Sequence, residues 1–265
     1  MPEGAEVKII TTQLSKYIGR DVLNIRLIGG RYQNQKPIGF NLLEKYLPSS
    51  ITTIECKGKF IYWKFGSGLI LWNTLGMTGS WDLGPSSHPA LEVNFRNMSA
   101  IYFNDPRRFG TVKFTNSELE LTNKLNSLGP DMLNDPPGVD LFCQKLNKST
   151  NITKLLMNQK VISGVGNYIK AEALYSAKIS PWRVGNSLSK NEYQDLYESI
   201  IKVLKKSYSL GGATLATYHD LTGESGKFDK QLIIYRKEKD PLGNPIIKEL
   251  TPDGRSTWWC PTVQC

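Results

Sequence analysis

Val161-Ile-Ser-Gly-Val-Gly-Asn-Tyr168, running on through Ile169-Lys-Ala-Glu-Ala-Leu-Tyr-Ser-Ala-Lys-Ile-Ser-Pro181, sets two glycines and an asparagine directly ahead of a helical run. Gly164 and Gly166 let backbone N–H groups approach another group closely, and the helix N-terminus adds partial positive charge. The stretch therefore suits a phosphate, with Asn167 as a further donor. The same spacing also fits a plain turn between two helices. Helical periodicity surrounds it on both sides: DLFCQKLN from Asp140, TKLLMNQ from Thr153, and NEYQDLYESIIKVLKKSYSLGG from Asn191, whose closing glycine pair suits a C-cap.

Farther upstream the texture changes. Between Leu23 and Phe114 lie short β-branched and aromatic runs (VLNIRLI, ITTIECKGKFIYWKF, GLILWNTLG, LEVNFR, AIYFND, GTVKF), separated by Gly, Ser, Asn and Pro. They predict a β-sandwich or barrel. Val7 to Ile18 carries apolar residues at helical spacing, which sets a helix behind the amino terminus. Residues 116–137, rich in Asn, Pro, Asp and Gly, read as a connector. From Phe228 strand-like runs return, QLIIYRKE and PIIKEL, then a turn at Asp253-Gly254 and RSTWWCP. The expected fold class is α+β. It comprises a β-sandwich domain with an N-terminal helix (1–115), the connector (116–137), a helical domain (138–227) and a small β-hairpin appendage (228–265).

Lys and Arg outnumber Asp and Glu by 33 to 24, a net charge of +9. An excess of this size makes a polyanion a candidate partner, because phosphate neutralisation supplies most non-specific nucleic-acid affinity. The four cysteines, Cys56, Cys143, Cys260 and Cys265, show no disulfide spacing, and the first thirty residues lack an apolar signal core. An intracellular, reducing compartment is expected. No run approaches eighteen consecutive apolar residues, so no membrane association is expected.

Chemistry concentrates in four short segments. Removal of Met1 exposes the secondary amine of Pro2 beside Glu3. An α-amino group titrates near about 7.7–8.0, so part of it is unprotonated at neutrality. Condensed with a sugar aldehyde, it gives an iminium cation, an electron sink for elimination. The second segment is the glycine pair before the helix. Asn104-Asp-Pro-Arg-Arg-Phe-Gly110 reads either as a β-turn with a core phenylalanine or as a loop in which Arg107 and Phe109 fill the space left by an everted base. Leu75-Gly-Met-Thr-Gly79 offers Met77 as a flexible apolar wedge.

Pro2-Glu3, Gly58-Lys59, Leu75 to Gly79, Asp105 to Gly110 and Gly164 to Asn167 occur in one order over nearly the whole chain. In this the sequence resembles the formamidopyrimidine-DNA glycosylase/endonuclease VIII family of base-excision repair enzymes. The resemblance implies a helix-two-turn-helix domain and a bifunctional glycosylase and abasic-site lyase. Pro2 would attack C1′ of the damaged nucleotide, Glu3 would protonate the ring oxygen, and Lys59 would contact phosphate and stabilise developing charge. Glu6 would order the terminus. Elimination at β and δ positions would follow. The implied partner is damaged double-stranded DNA, bound by a monomer without a cofactor, in a nucleus or wherever DNA is replicated.

The resemblance breaks at the carboxyl end. Most members of the family end in a four-cysteine zinc finger. Tyr235 to Ile246 contains no cysteine, and Val263 stands where the partner of Cys260 would fall, so no structural zinc is expected. Gly254-Arg255 keeps the position of the phosphate-gripping finger arginine. This is similar to the zincless finger of endonuclease VIII-like proteins of vertebrates, plants and giant viruses. Ile233, Ile234, Trp258 and Trp259 are the expected apolar packing of such a finger. That branch favours oxidised pyrimidines and hydantoins. The alternatives are a preference for 8-oxoguanine and formamidopyrimidines, or a catalytically silent DNA-binding relative. His219 to Lys230 suits a lid over a flipped base.

Overall fold

The structure, a computed structural model, describes residues 2–215 and 218–265. Met1, whose removal the amine chemistry needs, lies outside the described residues. The chain opens with α1 (Gly4–Leu14), β1 (Asp21–Leu27) and a short α2 (Leu42–Tyr46). Seven strands follow: β2 (Ser49–Lys57), β3 (Phe60–Phe65), β4 (Ile70–Thr74), β5 (Ser80–Asp82), β6 (Pro89–Phe95), β7 (Ile101–Asn104) and β8 (Thr111–Thr115). They form an antiparallel sheet in the order β5-β7-β6-β1-β2-β3-β4-β8.

This sheet folds over on itself at a narrow seam. β1 and β2 pair only at Asp21 with Ser50 and Val22 with Ser49, whereas β1 pairs with β6 out to Leu27. Irregular register in β1–β6, β2–β3 and β6–β7 adds the local bends that let two half-sheets face each other. Trp63, Trp81, Phe103 and Phe114 fill the space between them, with Val7, Ile10 and Leu14 of α1 closing one side. Strand β3 is buried on both faces. Ile61, Trp63 and Phe65 enter the sandwich, while Phe60 and Tyr62 pack outward on Ile70 and Leu121.

That outward contact corrects the reading of 116–137 as a plain connector. Much of it is α3 (Glu118–Ser127), capped by Ser117 Oγ accepting from Glu120 N at 3.2 Å. Leu121, with Leu125 one turn on, seats the helix on β3 and covers rings that would otherwise face water.

The helical layer comprises α4 (Val139–Leu146), α5 (Ile152–Met157), α6 (Asn167–Ser176) and α7 (Lys190–Ser209). Ser189 and Glu192 form a capping box that starts α7, and Gly211 and Gly212, at φ of +77° and +88°, end it. Ala5 of α1 belongs to this second core while Val7 belongs to the first, so α1 is the joint between the layers.

The carboxyl end forms a hairpin of β9 (Ile247–Leu250) and β10 (Ser256–Trp259), with Gly254 at φ +76° in the turn. QLIIYRKE is not a strand, contrary to expectation. The buried carboxylate of Glu172 on α6 accepts the N–H groups of Ile233, Ile234 and Tyr235 in succession, wrapping that segment around one side chain and away from any ladder. The expected apolar packing is also only partly right. Ile234 is buried and Trp258 packs on the helical core, but Ile233 is 37% exposed, and the Trp259 indole spends its N–H on Glu249 at 2.7 Å.

Polar groups supply the rest of the anchoring. Lys170 Nζ on α6 meets Asp253 Oδ2 at 2.6 Å, with the two side chains 0% and 2% exposed. Asp240 accepts from Tyr175 Oη, Leu242 N and both nitrogens of Asn244, and Gln264 ties Cys260 N to Ile179 O. The residues around Cys260 do not fit a tetrahedral thiolate site. Cys265 is exposed, the Asp240 oxygens are committed to hydrogen bonds, and among the described residues no group of three metal-binding side chains gathers. Among the same residues no helix is long and apolar enough to cross a membrane.

Removing one partner of a buried ion pair strands the other charge, at a cost of about 3–5 kcal/mol, whereas replacing both with apolar groups is close to neutral. Lys170→Met should therefore lower unfolding stability in urea by about that much, and Lys170→Met with Asp253→Leu should recover most of it.

Candidate active site

Three backbone segments converge on the amino terminus. Gly4 N donates to Gly164 O at 2.8 Å, and the Gly58 turn lies against both Ser163 and Gly164, where a Cβ on Gly58 would come within 2.6 Å of Ser163 Cβ. Gly58 is held there by its N–H to Asp131 Oδ2 at 2.7 Å, and Gly164 N is taken by Gln159 Oε1 at 3.1 Å. Next to this crossing, Glu3 seats its carboxyl on the N-terminus of α6. Tyr168 N donates to Oε1 at 3.0 Å and Ile169 N to Oε2 at 3.3 Å. A Cβ on Gly166 would lie 2.1 Å from Glu3 Cδ.

The expectation that Gly164 and Gly166 cradle a phosphate is corrected by this arrangement. The chain's own carboxyl occupies the anion position at the helix end; Gly166 is there because Glu3 presses against it, and Gly164 because its backbone is left-handed at φ +95°. Asn167 lies at the same helix start. Its Nδ2 donates to Ser256 O in the hairpin at 3.0 Å, which couples α6 to the strand beside Arg255.

Glu6 orders the terminus from beneath. It accepts from Glu3 N at 2.8 Å, Tyr168 Oη at 2.9 Å, Ser207 Oγ at 3.2 Å and Ala213 N at 2.9 Å, joining α1, α6, α7 and the loop after α7 through one side chain. Burial pushes the Glu3 carboxyl up to about 7, with Glu6 adding to the rise, against the opposing pull of Lys59 and the two helix N–H groups. Burial and the Arg255 charge lower the Lys59 ammonium, and Glu3 partly restores it. Burial thus moves the two groups toward each other, the Glu3 carboxyl upward and the Lys59 ammonium downward.

Two adjoining clefts open here. One, of about 350 Å³, is lined by Pro2, Lys59, Met77, Ser163 and Arg255 among others. The second, of about 270 Å³, brings Glu3, Asn167, Tyr235, Arg236, Arg255 and Trp258 together. Met77 and Arg255 border both. Arg107 and Phe109 line neither. They stand at an exposed loop tip, with Phe109 54% exposed and the Arg107 guanidinium 5.1 Å from its ring centroid. Thr78 Oγ1 accepts from Arg107 N at 3.2 Å, so that loop is braced against the one carrying Met77. The stretch from His219 to Lys230, expected as a lid, is tethered to both layers: His219 Nε2 to Asp82 Oδ1 at 2.5 Å, Gln13 Nε2 to Asp220 at 2.6 Å, and Phe228 in the helical core.

Comparison with known proteins accords with this geometry. Residues 1–112 match the formamidopyrimidine-DNA glycosylase N-terminal domain, 128–219 its H2TH domain and 222–265 its C-terminal domain. The chain belongs to the formamidopyrimidine-DNA glycosylase family. It is 33% identical, over the full length of both chains, to a formamidopyrimidine-DNA glycosylase of Wolbachia sp. subsp. Drosophila simulans. It is 30% identical to that of Acinetobacter baylyi over 100% of this chain and 98% of the other. The fold is similar to the Lactococcus lactis FPG mutant G226P in complex with a Fapy-dG containing DNA (TM-score 0.88, 30% identity, 99% of each chain). It is also similar to the MutM (FPG) protein of Thermus thermophilus (TM-score 0.88, 29% identity, 99% of this chain and 98% of the other). As a member of the formamidopyrimidine-DNA glycosylase family, the protein is a DNA glycosylase of base-excision repair with abasic-site lyase activity.

Some residues at this site left no mark in the sequence. Asp131, which places the Gly58 turn, lies 73 positions from it, and Gln159 and Lys170 sit in runs that read only as helix or turn. The family's glycine-lysine pair was visible; the carboxylate that fixes it was not.

A carboxyl whose pKa rises on folding contributes stability that is full below its unfolded value and is lost as pH rises through the folded value. For Glu3 that window runs from about 4.5 to about 7, and the loss is on the order of 3 kcal/mol. Glu3→Gln should therefore gain on the parent by that order between pH 4.5 and 7.5 in urea unfolding; parallel pH curves would contradict it. Gly166→Ala should cost on the order of 2 kcal/mol or more, and the same methyl should be tolerated once Glu3→Ala has removed the carboxyl.

Proposed function

We propose that the protein excises oxidised bases and cleaves the resulting abasic site through an imine formed by Pro2. With Met1 removed, the Pro2 nitrogen attacks C1′ of an everted nucleotide. The neutral Glu3 carboxyl gives its proton to the ring oxygen, the C1′–O4′ bond breaks and the sugar opens. The base leaves and the nitrogen lone pair forms the iminium. Loss of a C2′ proton then expels the 3′-phosphate, a second elimination expels the 5′-phosphate, and water frees the amine from the sugar remnant. Lys59 faces the same cleft and stabilises phosphate charge as it develops.

One observation carries this reading. A carboxyl poised near pH 7 stands immediately beside Pro2, the residue whose nitrogen must attack, and Pro2 lines a cleft that also presents an ammonium and a guanidinium. A binding module would need none of that arrangement. Asn167 and Arg255 grip the backbone of the lesion strand, while Met77, Arg107 and Phe109 enter the duplex where the damaged nucleotide has left it.

For substrate we assign oxidised pyrimidines and hydantoins, on the strength of the metal-free hairpin anchored by Lys170, Asp253 and Asp240. The second reading is a preference for formamidopyrimidines and 8-oxoguanine, which the Lactococcus lactis relative crystallised with Fapy-dG DNA favours. Borohydride trapping on matched duplexes carrying thymine glycol or 8-oxoguanine separates them. An adduct mainly on thymine glycol is expected, an adduct mainly on 8-oxoguanine selects the second reading, and no adduct on either or on an abasic site, with Met1 absent, overturns the imine mechanism. Glu3→Gln should lose base excision by about a hundredfold or more. It should still trap a preformed abasic site, whose ring-opened aldehyde needs no protonation of the ring oxygen.

A further inference from the structure

Arg236 holds a left-handed backbone at φ +62°. Such a conformation is strained for a non-glycine residue, whose Cβ comes too close to the following carbonyl oxygen. Among the described residues the other non-glycines with positive φ are Asn97, Arg108 and Lys178. Asparagine tolerates the region, Lys178 directly follows the end of α6, and Arg108 belongs to the loop beside Phe109. No helix end accounts for Arg236. Its backbone is set by the succession of N–H groups that Glu172 captures just before it. Glycine would serve that backbone without strain, so the side chain has to supply something glycine cannot.

Its guanidinium is carefully placed. Nη1 donates to Leu215 O at 2.6 Å, and Cζ lies 5.6 Å from the Tyr235 ring centroid. Tyr235 packs on Trp258 at 4.6 Å, and Lys248 Nζ lies 5.4 Å from the Trp258 ring, so cations and rings alternate down one face of the hairpin. Arg236 lines the 270 Å³ cleft together with Arg255 and Asn167. Among the described residues neither arginine has a carboxylate partner at ion-pair distance. A guanidinium carries five N–H donors, most of which remain after the contact with Leu215.

We propose that Arg236 is a further DNA ligand, which together with Arg255 clamps a backbone phosphate of the damaged strand in this cleft. The proposal rests on the DNA-binding part of the reading above and needs none of its amine chemistry. Two guanidinium groups converging on one cleft match the geometry of a phosphodiester. When DNA enters, the forked side chain turns its free N–H groups to phosphate while the Tyr235 face holds its plane.

The competing role is that of a pin for the Leu215 carbonyl alone, and salt dependence tells the two apart. The full chain would be titrated, over a range of sodium chloride concentrations, with a duplex carrying a tetrahydrofuran abasic analogue, which cannot form an imine. Its result therefore stands even if borohydride trapping fails. Each phosphate neutralised adds about 0.9 to the slope of log K against log salt. Arg236→Gly should reduce that slope by about one and weaken binding about tenfold, and Arg236→Lys should restore the slope. Glycine relieves the left-handed strain, so the variant should melt no lower than the parent. An unchanged slope in Arg236→Gly, or a slope that Arg236→Lys does not restore, overturns the proposal.

Discussion

The seat of the Glu3 carboxyl on the N-terminus of α6 is the constraint from which the rest follows. It crosses between the two cores, taking a residue that starts α1 and fastening it to a helix 165 positions later. Ordinarily a helix N-terminus favours a charged carboxylate. Here burial outweighs the helix and the Lys59 ammonium, and the carboxyl is pushed up to about 7. That balance needs a dry, close fit, and the fit is what excludes a side chain at Gly166 and brings the Gly4, Gly58 and Gly164 backbones together.

The hairpin shows how a small two-stranded element is held by the chain's own side chains. Its own apolar contribution is slight, since Ile247 and Leu250 are exposed. Carboxylates do the fastening instead. Glu172 gathers three successive N–H groups, Asp240 closes the turn that precedes β9, and Asp253 reaches Lys170 inside α6. Two of these anchors stand on α6, the helix that also receives Glu3. Arg255 is thus positioned relative to the Glu3 carboxyl through one rigid rod, and the cleft between them is a consequence of that shared support.

The large periodic features were legible in the sequence. α7 announces itself by helical periodicity and a closing glycine pair, and the β-branched and aromatic runs mark the sandwich. Pro2, Glu3, Lys59, Met77, Asn167 and Arg255 could be marked because short motifs carry them. What stayed hidden depends on partners far away in the chain. QLIIYRKE has every strand propensity and forms none, because one glutamate 61 to 63 positions earlier claims its N–H groups. The connector gave little sign of α3 because its apolar face is narrow, with Leu121 buried and Leu125 only partly so. The glycines of 164–166 were read correctly as a close approach and wrongly as to what approaches.

The proton held on Glu3 is the most direct test of this account. Carbon-13 NMR of protein labelled at glutamate carboxyls, with the Glu3 resonance identified by its loss in Glu3→Gln, would follow its titration in the free protein. The account predicts a midpoint near 7. A midpoint near the ordinary glutamate value, about 4.3, would mean that Glu3 is an ion throughout the neutral range and would contradict its role as the proton donor that opens the sugar.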